Sequence, residues 1–310
     1  MPIFFFTILI TFFPVGLFPS WNGLVGPSSL ALSEEHETQS DMVLLPAGVF
    51  EMGTANPQSG ADERPRHMVS LNAFYLDKYE VTNREFRKFV TRHKFKTSAE
   101  KLGKAWVYVE DEQWTEEAGA WWKKPEGRQS VFATRRGSHP VVMISWDDAK
   151  AYCEGVGKRL PTEAEWEYAS RAGSSTNAWL ATTDSRSTIV GNVADISHKN
   201  EFPNRPWPIL EGYNDHWVRT APVGSFEANA WGLHDMIGNA WEWVADWYSE
   251  DYYSRSPRKN PNGPPEGHFK VLRGGSWATS PEFVGTGVRI FNLRTSRNAA
   301  HGVRCAKDLE

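Results

Sequence analysis

The sequence predicts an α+β fold held together more by loops than by regular elements. Three helix starts are marked by capping residues, and all lie before Gly173. After Gly173 the chain offers Gly, Pro, Asn and Trp at short spacings and no helical periodicity. The composition, with 25 Gly, 19 Pro and 15 Trp in 310 residues, supplies many turns and large rigid side chains to fill the space between them.

Taken in order, Val43-Leu44-Leu45-Pro46-Ala47-Gly48-Val49-Phe50 reads as a strand entering a turn. Residues 67–75 read as a second strand, carrying Met68, Val69, Leu71, Phe74 and Tyr75. Thr82-Asn83-Arg84-Glu85 is a capping box, in which hydroxyl and carboxylate satisfy amides that no helical turn can reach; Phe86, Phe89 and Val90 form the apolar face behind it. Ser145 with Asp148 opens a second helix, with Ala149, Tyr152, Cys153 and Val156 turned inward and Gly157 closing it. Pro161-Thr162-Glu163-Ala164-Glu165 opens a third, running to about Arg171.

Hydrophobic residues at 40% and charged residues at 23% exclude a disordered chain and a multi-span membrane protein. A net charge of −4 argues against a nucleic-acid partner drawn by a basic field. Two cysteines exclude a disulfide-rich scaffold and an all-thiolate zinc site. The first twenty residues carry no charged side chain, are apolar from Ile3 to Phe13 apart from Thr7 and Thr11, and break at Pro14; Ala31 and Ser33 suit a signal peptidase. The expected organisation is a signal peptide at 1–33, a polar linker at 34–41 and one domain at 42–310. The protein is thus expected to be exported, to a periplasm, a secretory lumen or the exterior. Membrane attachment is expected only if the leader stays as an uncleaved anchor, its apolar run being shorter than the ~20 residues of a span.

Several stretches then become specific. Phe50-Glu51-Met52-Gly53, Asp62-Glu63-Arg64-Pro65-Arg66-His67 and Asp77-Lys78-Tyr79-Glu80-Val81-Thr82-Asn83 come first. His139-Pro140-Val141, Ser145-Trp146-Asp147-Asp148-Ala149 and Gly157-Lys158-Arg159-Leu160-Pro161-Thr162-Glu163-Ala164-Glu165-Trp166-Glu167 follow. Near the end stand Gly232-Leu233-His234-Asp235-Met236-Ile237-Gly238-Asn239-Ala240-Trp241-Glu242-Trp243, Arg273-Gly274-Gly275-Ser276-Trp277 and Gly302-Val303-Arg304-Cys305. In this order they resemble the formylglycine-generating enzyme or sulfatase-modifying-factor family, over residues 43–308. The resemblance implies a loop-rich, C-type-lectin-like fold with bound calcium. It spans copper oxidases, non-heme iron oxygenases, siderophore-maturation proteins and binding proteins, so it fixes fold better than function.

The resemblance also exposes a departure. The copper oxidases carry two cysteines, three and eight residues beyond the serine of the Gly-Gly-Ser turn, because Cu(I) needs soft thiolates. Counting from Ser276 reaches Thr279 and Val284, and no cysteine lies between Gly274 and Arg304. Copper is therefore not expected, and none of the nine histidines forms a helix-spaced pair that would announce iron. Any other redox metal stays open. By resemblance, Asp235, Gly238, Ala240 and Glu242 would hold one calcium, the first and last by side chain. Asn192, Val193, Asp215 and Trp217 would hold a second. Cys153 and Cys305 match a structural disulfide, and Trp241 and Ser276, with Thr279 beside them, a substrate pocket. The basic run Arg289, Arg294, Arg297 and Arg304 suits an anionic ligand or internal ion pairs equally.

Three functions remain open at this point. The first is a non-copper oxidoreductase or maturation factor acting on an exported protein, a peptide or a siderophore-like molecule. The second is a non-catalytic lectin-like module binding such a ligand. The third, disfavoured by the missing cysteines, is a true formylglycine-generating oxidase. Whether the protein is an enzyme is not decided by the sequence.

Overall fold

The computed structural model describes residues 41–109, 114–174 and 191–309. The predicted leader and all but the last residue of the predicted linker lie outside these. The chain opens with β1 (Met42–Leu45), β2 (Gly48–Met52), β3 (His67–Leu71) and β4 (Phe74–Asp77). Pro46-Ala47 and Asn72-Ala73 thus divide each of the two expected strands in two. Pro46 cannot donate to a ladder, so the apolar run breaks there. Then come α1 (Asn83–His93), α2 (Ser98–Leu102), β5 (Lys104–Tyr108), β6 (Trp114–Ala118), α3 (Trp146–Gly155) and α4 (Glu163–Arg171). The last part holds α5 (Ile196–Glu201), β7 (Trp241–Trp247), α6 (Tyr252–Arg255), β8 (Phe269–Arg273), β9 (Arg289–Leu293), β10 (His301–Gly302) and β11 (Ala306–Asp308).

Capping boxes start α1 at Thr82, α2 at Thr97, α3 at Ser145 and α4 at Thr162. In each the side chain accepts from an orphan amide that would otherwise be unsatisfied, worth about 1 kcal/mol. Two short helices, α5 and α6, correct the expectation of none beyond Gly173; α5 begins where Asp195 accepts from the His198 amide. Val156 is 41% exposed, so the inner face of α3 ends with Ala149, Tyr152 and Cys153.

The strands form a three-stranded sheet β1-β4-β11, a four-stranded sheet β10-β7-β8-β9, and the ribbons β2-β3 and β5-β6. Successive strand residues face opposite ways, and β7 uses this to serve two cores. Trp241 and Trp243 join Phe86, Phe89, Trp122, Tyr152 and Trp277 in one. Val244 joins Leu76, Trp166 and Val271 in the other. Buried indoles need a hydrogen-bond acceptor, and the loops supply carbonyls: Trp146 donates to Val244, Trp243 to Ile144 and Trp277 to Ala299. Cys153 of α3 is joined to Cys305, just before β11, by a disulfide. The basic run is absorbed internally: Arg289 pairs with Glu163, Arg294 with Asp147, Arg297 with Glu116 and Arg304 with Glu242.

Candidate functional site

Residues 235–242 form a contorted loop at the mouth of β7. Asp235, Gly238 and Asn239 have φ of 54°, 81° and 60°, the left-handed region. A Cβ at Gly238 would run into the carbonyl oxygen of Asn192, so only glycine fits. Asn239 donates its amide to that carbonyl at 2.8 Å, and Gly238 donates to Gly274 at 2.8 Å. This stitching brings three distant segments together: the loop at Asn192, the loop at 235–242 and the Gly274-Gly275-Ser276 turn.

Charge at the first loop is unbalanced. Both oxygens of Glu242 accept from Arg304 at 2.7 Å, and Oε2 also accepts from the Trp166 indole at 2.7 Å. Glu80, which the sequence reading did not single out, accepts from the Asn239 side chain at 2.6 Å and from the Ala240 amide at 3.0 Å. Burial, and then the charges of Asp235 and Glu242, hold Glu80 well above the usual carboxylate range. Asp235 takes the Gly224 amide on Oδ2 at 2.6 Å, while its Oδ1 is buried without a partner. Its carboxyl is raised too, chiefly by burial. Three buried carboxylates therefore face one guanidinium, with one oxygen unsatisfied. Hard oxygens in excess negative charge fit calcium.

The second set is also assembled. Asp215 accepts from the Val193 amide at 3.2 Å and the Trp217 amide at 2.7 Å. Asn192 donates to the Arg219 carbonyl at 2.9 Å, leaving its Oδ1 buried and unpartnered. Burial, together with the neighbouring Asp195, pushes the Asp215 carboxyl up to about 7. Asp195 is a further acid the sequence reading passed over; it accepts from the amides of His198 and Asp215. Orphaned oxygen and surplus acid again fit a hard cation.

Copper does not fit. Beyond the turn, the Ser276 amide donates to the Thr279 hydroxyl at 2.8 Å, and the two hydroxyls lie 3.1 Å apart. Val284 is buried with Val193 and Ile237. The chain has two cysteines and both are in the disulfide, so no thiolate remains for Cu(I). Trp241, Ser276 and Thr279 are all buried. Among the described residues, no three His, Cys, Asp or Glu side chains converge on a metal position. The calcium sets above ask for fewer side chains, the rest being carbonyls. His198 and His301 are fully enclosed, and burial pushes each down to about 3, leaving the imidazoles neutral.

Comparison with known proteins agrees with this architecture. The profile of the Sulfatase-modifying factor enzyme 1-like domain family matches residues 28–309. The chain belongs to this family. It is 38% identical to a formylglycine-generating enzyme of Bos taurus over 289 residues, covering 86% of this chain and 74% of that one. It is 32% identical to an inactive Cα-formylglycine-generating enzyme 2 of Bos taurus, covering 86% and 87%. Among solved structures, PvdO from Pseudomonas aeruginosa superposes with a TM-score of 0.65 at 27% identity, over 86% of this chain and 94% of that one. Variable protein 1 of Treponema denticola shares the fold, with a TM-score of 0.58 at 22% identity over 86% and 95%. In this sulfatase-modifying-factor chain the family's fold is retained, while the donors for copper are absent from the residues that follow the Gly-Gly-Ser turn.

Proposed function

We propose that this chain is an exported, copper-independent member of the family, a maturation factor that works by binding an exported protein, a peptide or a small molecule. One observation carries the reading. The positions beyond Ser276 hold a hydroxyl already bonded to a backbone amide and a buried isopropyl group, and both thiols of the chain are spent in the disulfide. Calcium has a structural role here. Asp235 and Glu242 by side chain, with the carbonyls of Gly238 and Ala240, would hold one ion; Asn192, Val193, Asp215 and Trp217 would hold the other. Each ion would neutralise buried acid and fix the loops around the Gly274-Gly275-Ser276 turn. The apolar, uncharged leader supports export.

The test is direct. Purified protein supplied with Cu(I) and oxygen is expected to leave a Cys-x-Pro-x-Arg peptide unoxidised, and elemental analysis is expected to find calcium without stoichiometric copper. Formylglycine in the product would overturn the reading. One iron or manganese per chain would replace it with a non-copper oxidoreductase.

A further inference from the structure

A cleft of about 490 Å³ lies between the 134–139 segment and the 217–222 segment. Its walls include Arg135, Arg136, Arg219, His139, Trp217 and Pro222. Arg136 grips Glu126 with two parallel bonds of 2.6 Å, and the Arg219 Nε lies 3.8 Å from the same carboxylate. Both guanidiniums lie against the same carboxylate. The third, on Arg135, has no ion-pair or side-chain hydrogen-bond partner among the described residues, and its backbone sits in the left-handed region at φ 59°. Arg135 therefore brings an unspent positive charge to the cleft, beside the Arg136–Glu126 pair. Arg219 also lies over the rings of Phe202 and Trp277, 5.0 and 5.8 Å from their centres. His139 bonds Thr220 at 3.2 Å and stands edge-on to Trp217, at 5.6 Å between ring centres. Its buried imidazole is held down to about 4 and adds no charge of its own at neutral pH.

We propose that this cleft binds a small molecule bearing a phosphate, sulfate or carboxylate on an apolar or aromatic body, with Arg135 and the Arg136–Arg219 pair taking the oxyanion and Trp217 taking the body. Guanidinium forks match the geometry of such oxyanions, and a concavity of this size suits a small ligand. The proposal goes beyond the role assigned to the Ser276 region and stands whether or not that region is catalytic.

The full-length mature protein is titrated at low ionic strength with phenyl phosphate, benzoate, inorganic phosphate and benzyl alcohol, by calorimetry and by tryptophan fluorescence. Saturable binding of phenyl phosphate and benzoate is expected. Phenyl phosphate should bind about fivefold more tightly than inorganic phosphate, because the ring gains an aromatic wall, and benzyl alcohol should not bind. Arg135→Glu should weaken phenyl phosphate at least about tenfold by placing a like charge at the site. Arg135→Gln, which removes the charge without reversing it, covers the case in which the reversal harms folding; its expected loss is about fivefold. Both variants should keep the parent melting temperature, because Arg135 is exposed and unpaired. Equal affinity in the folded variants would overturn the proposal, as would benzyl alcohol binding as well as phenyl phosphate, or no saturable anion binding.

Discussion

Replacing Arg304 by Met tests whether the 235–242 loop is held by balanced buried charge. Arg304 is fully enclosed and satisfies both oxygens of Glu242 at 2.7 Å, while its remaining N–H groups reach the carbonyls of Asp77 and Lys78 at 3.3 Å and of His234 at 2.9 Å. Met fills much of the same volume but leaves Glu242, Glu80 and Asp235 buried with no cation. Removing one partner of such a pair costs about 3–5 kcal/mol, because the orphaned carboxylate keeps its desolvation penalty. At roughly 2–4 °C per kcal/mol for a domain of this size, the melting temperature should fall by roughly 6–20 °C. Urea and thermal melts followed by circular dichroism, run in chelator so that calcium cannot offset the charge, give the number. The double variant Arg304→Met/Glu242→Gln removes the orphaned charge and should recover a substantial part of the loss. A loss under about 1 kcal/mol, or a double variant no more stable than the single, would refute the account.

Further tests address the rest of the molecule. Chelation should lower the melting temperature by several degrees, since a ligand held only by the folded state at a hundredfold excess over Kd adds about 2.7 kcal/mol; Asp235→Asn should blunt that response, and calorimetry with calcium checks it. Cys153→Ser/Cys305→Ser should cost about 5 kcal/mol in denaturant melts on the chain-entropy account, the bridge closing a loop with a sequence separation of 152. The folded-state pKa of His301, about 3, lies below its unfolded value near 6.5, so the unfolded chain takes up a proton first as pH falls. Its contribution is complete above pH 6.5 and is lost as pH falls toward 3. The stability difference between the parent and His301→Gln, followed by pH-dependent melts, should therefore shift in favour of the variant on acidification; a difference independent of pH would refute it.

What the sequence made legible was local. The capping boxes at Thr82, Ser145 and Thr162 are four-residue events, and each starts a helix in the structure. The same rule fits Thr97 and Glu100, but α2 has five residues and no apolar period to draw attention to it. The residues of 235–242 assigned to cation binding were reached by motif, since that motif is contiguous. Glu80 was not, because it meets Asn239 across 159 positions, and nothing near Glu80 in the chain hints at that partner. The basic cleft is harder still. Arg136 and Arg219 share Glu126 only after folding brings two separate loops together, and neither arginine stands in a pattern that sequence alone would mark. For the basic run near the end the sequence left an anionic ligand and internal ion pairs both open, and folding decides it: Arg289 and Arg304 are spent on buried carboxylates.

The stretch 301–308 sets the order of assembly. His301 pairs with Trp241, Arg304 neutralises Glu242, Cys305 reaches back to Cys153, and Ala306 to Asp308 complete the sheet on β4. All of this is synthesised after nearly every residue it completes, so a nascent chain holds both cores open until these residues emerge. Contacts spanning most of the chain are slow to form, and in the interval unpaired strand edges are exposed. A ribosome-stalled or protease-clipped chain ending before Arg304 should therefore be degraded or aggregate rather than persist as a partly working fold. Closure of both cores therefore waits on residues 301–308.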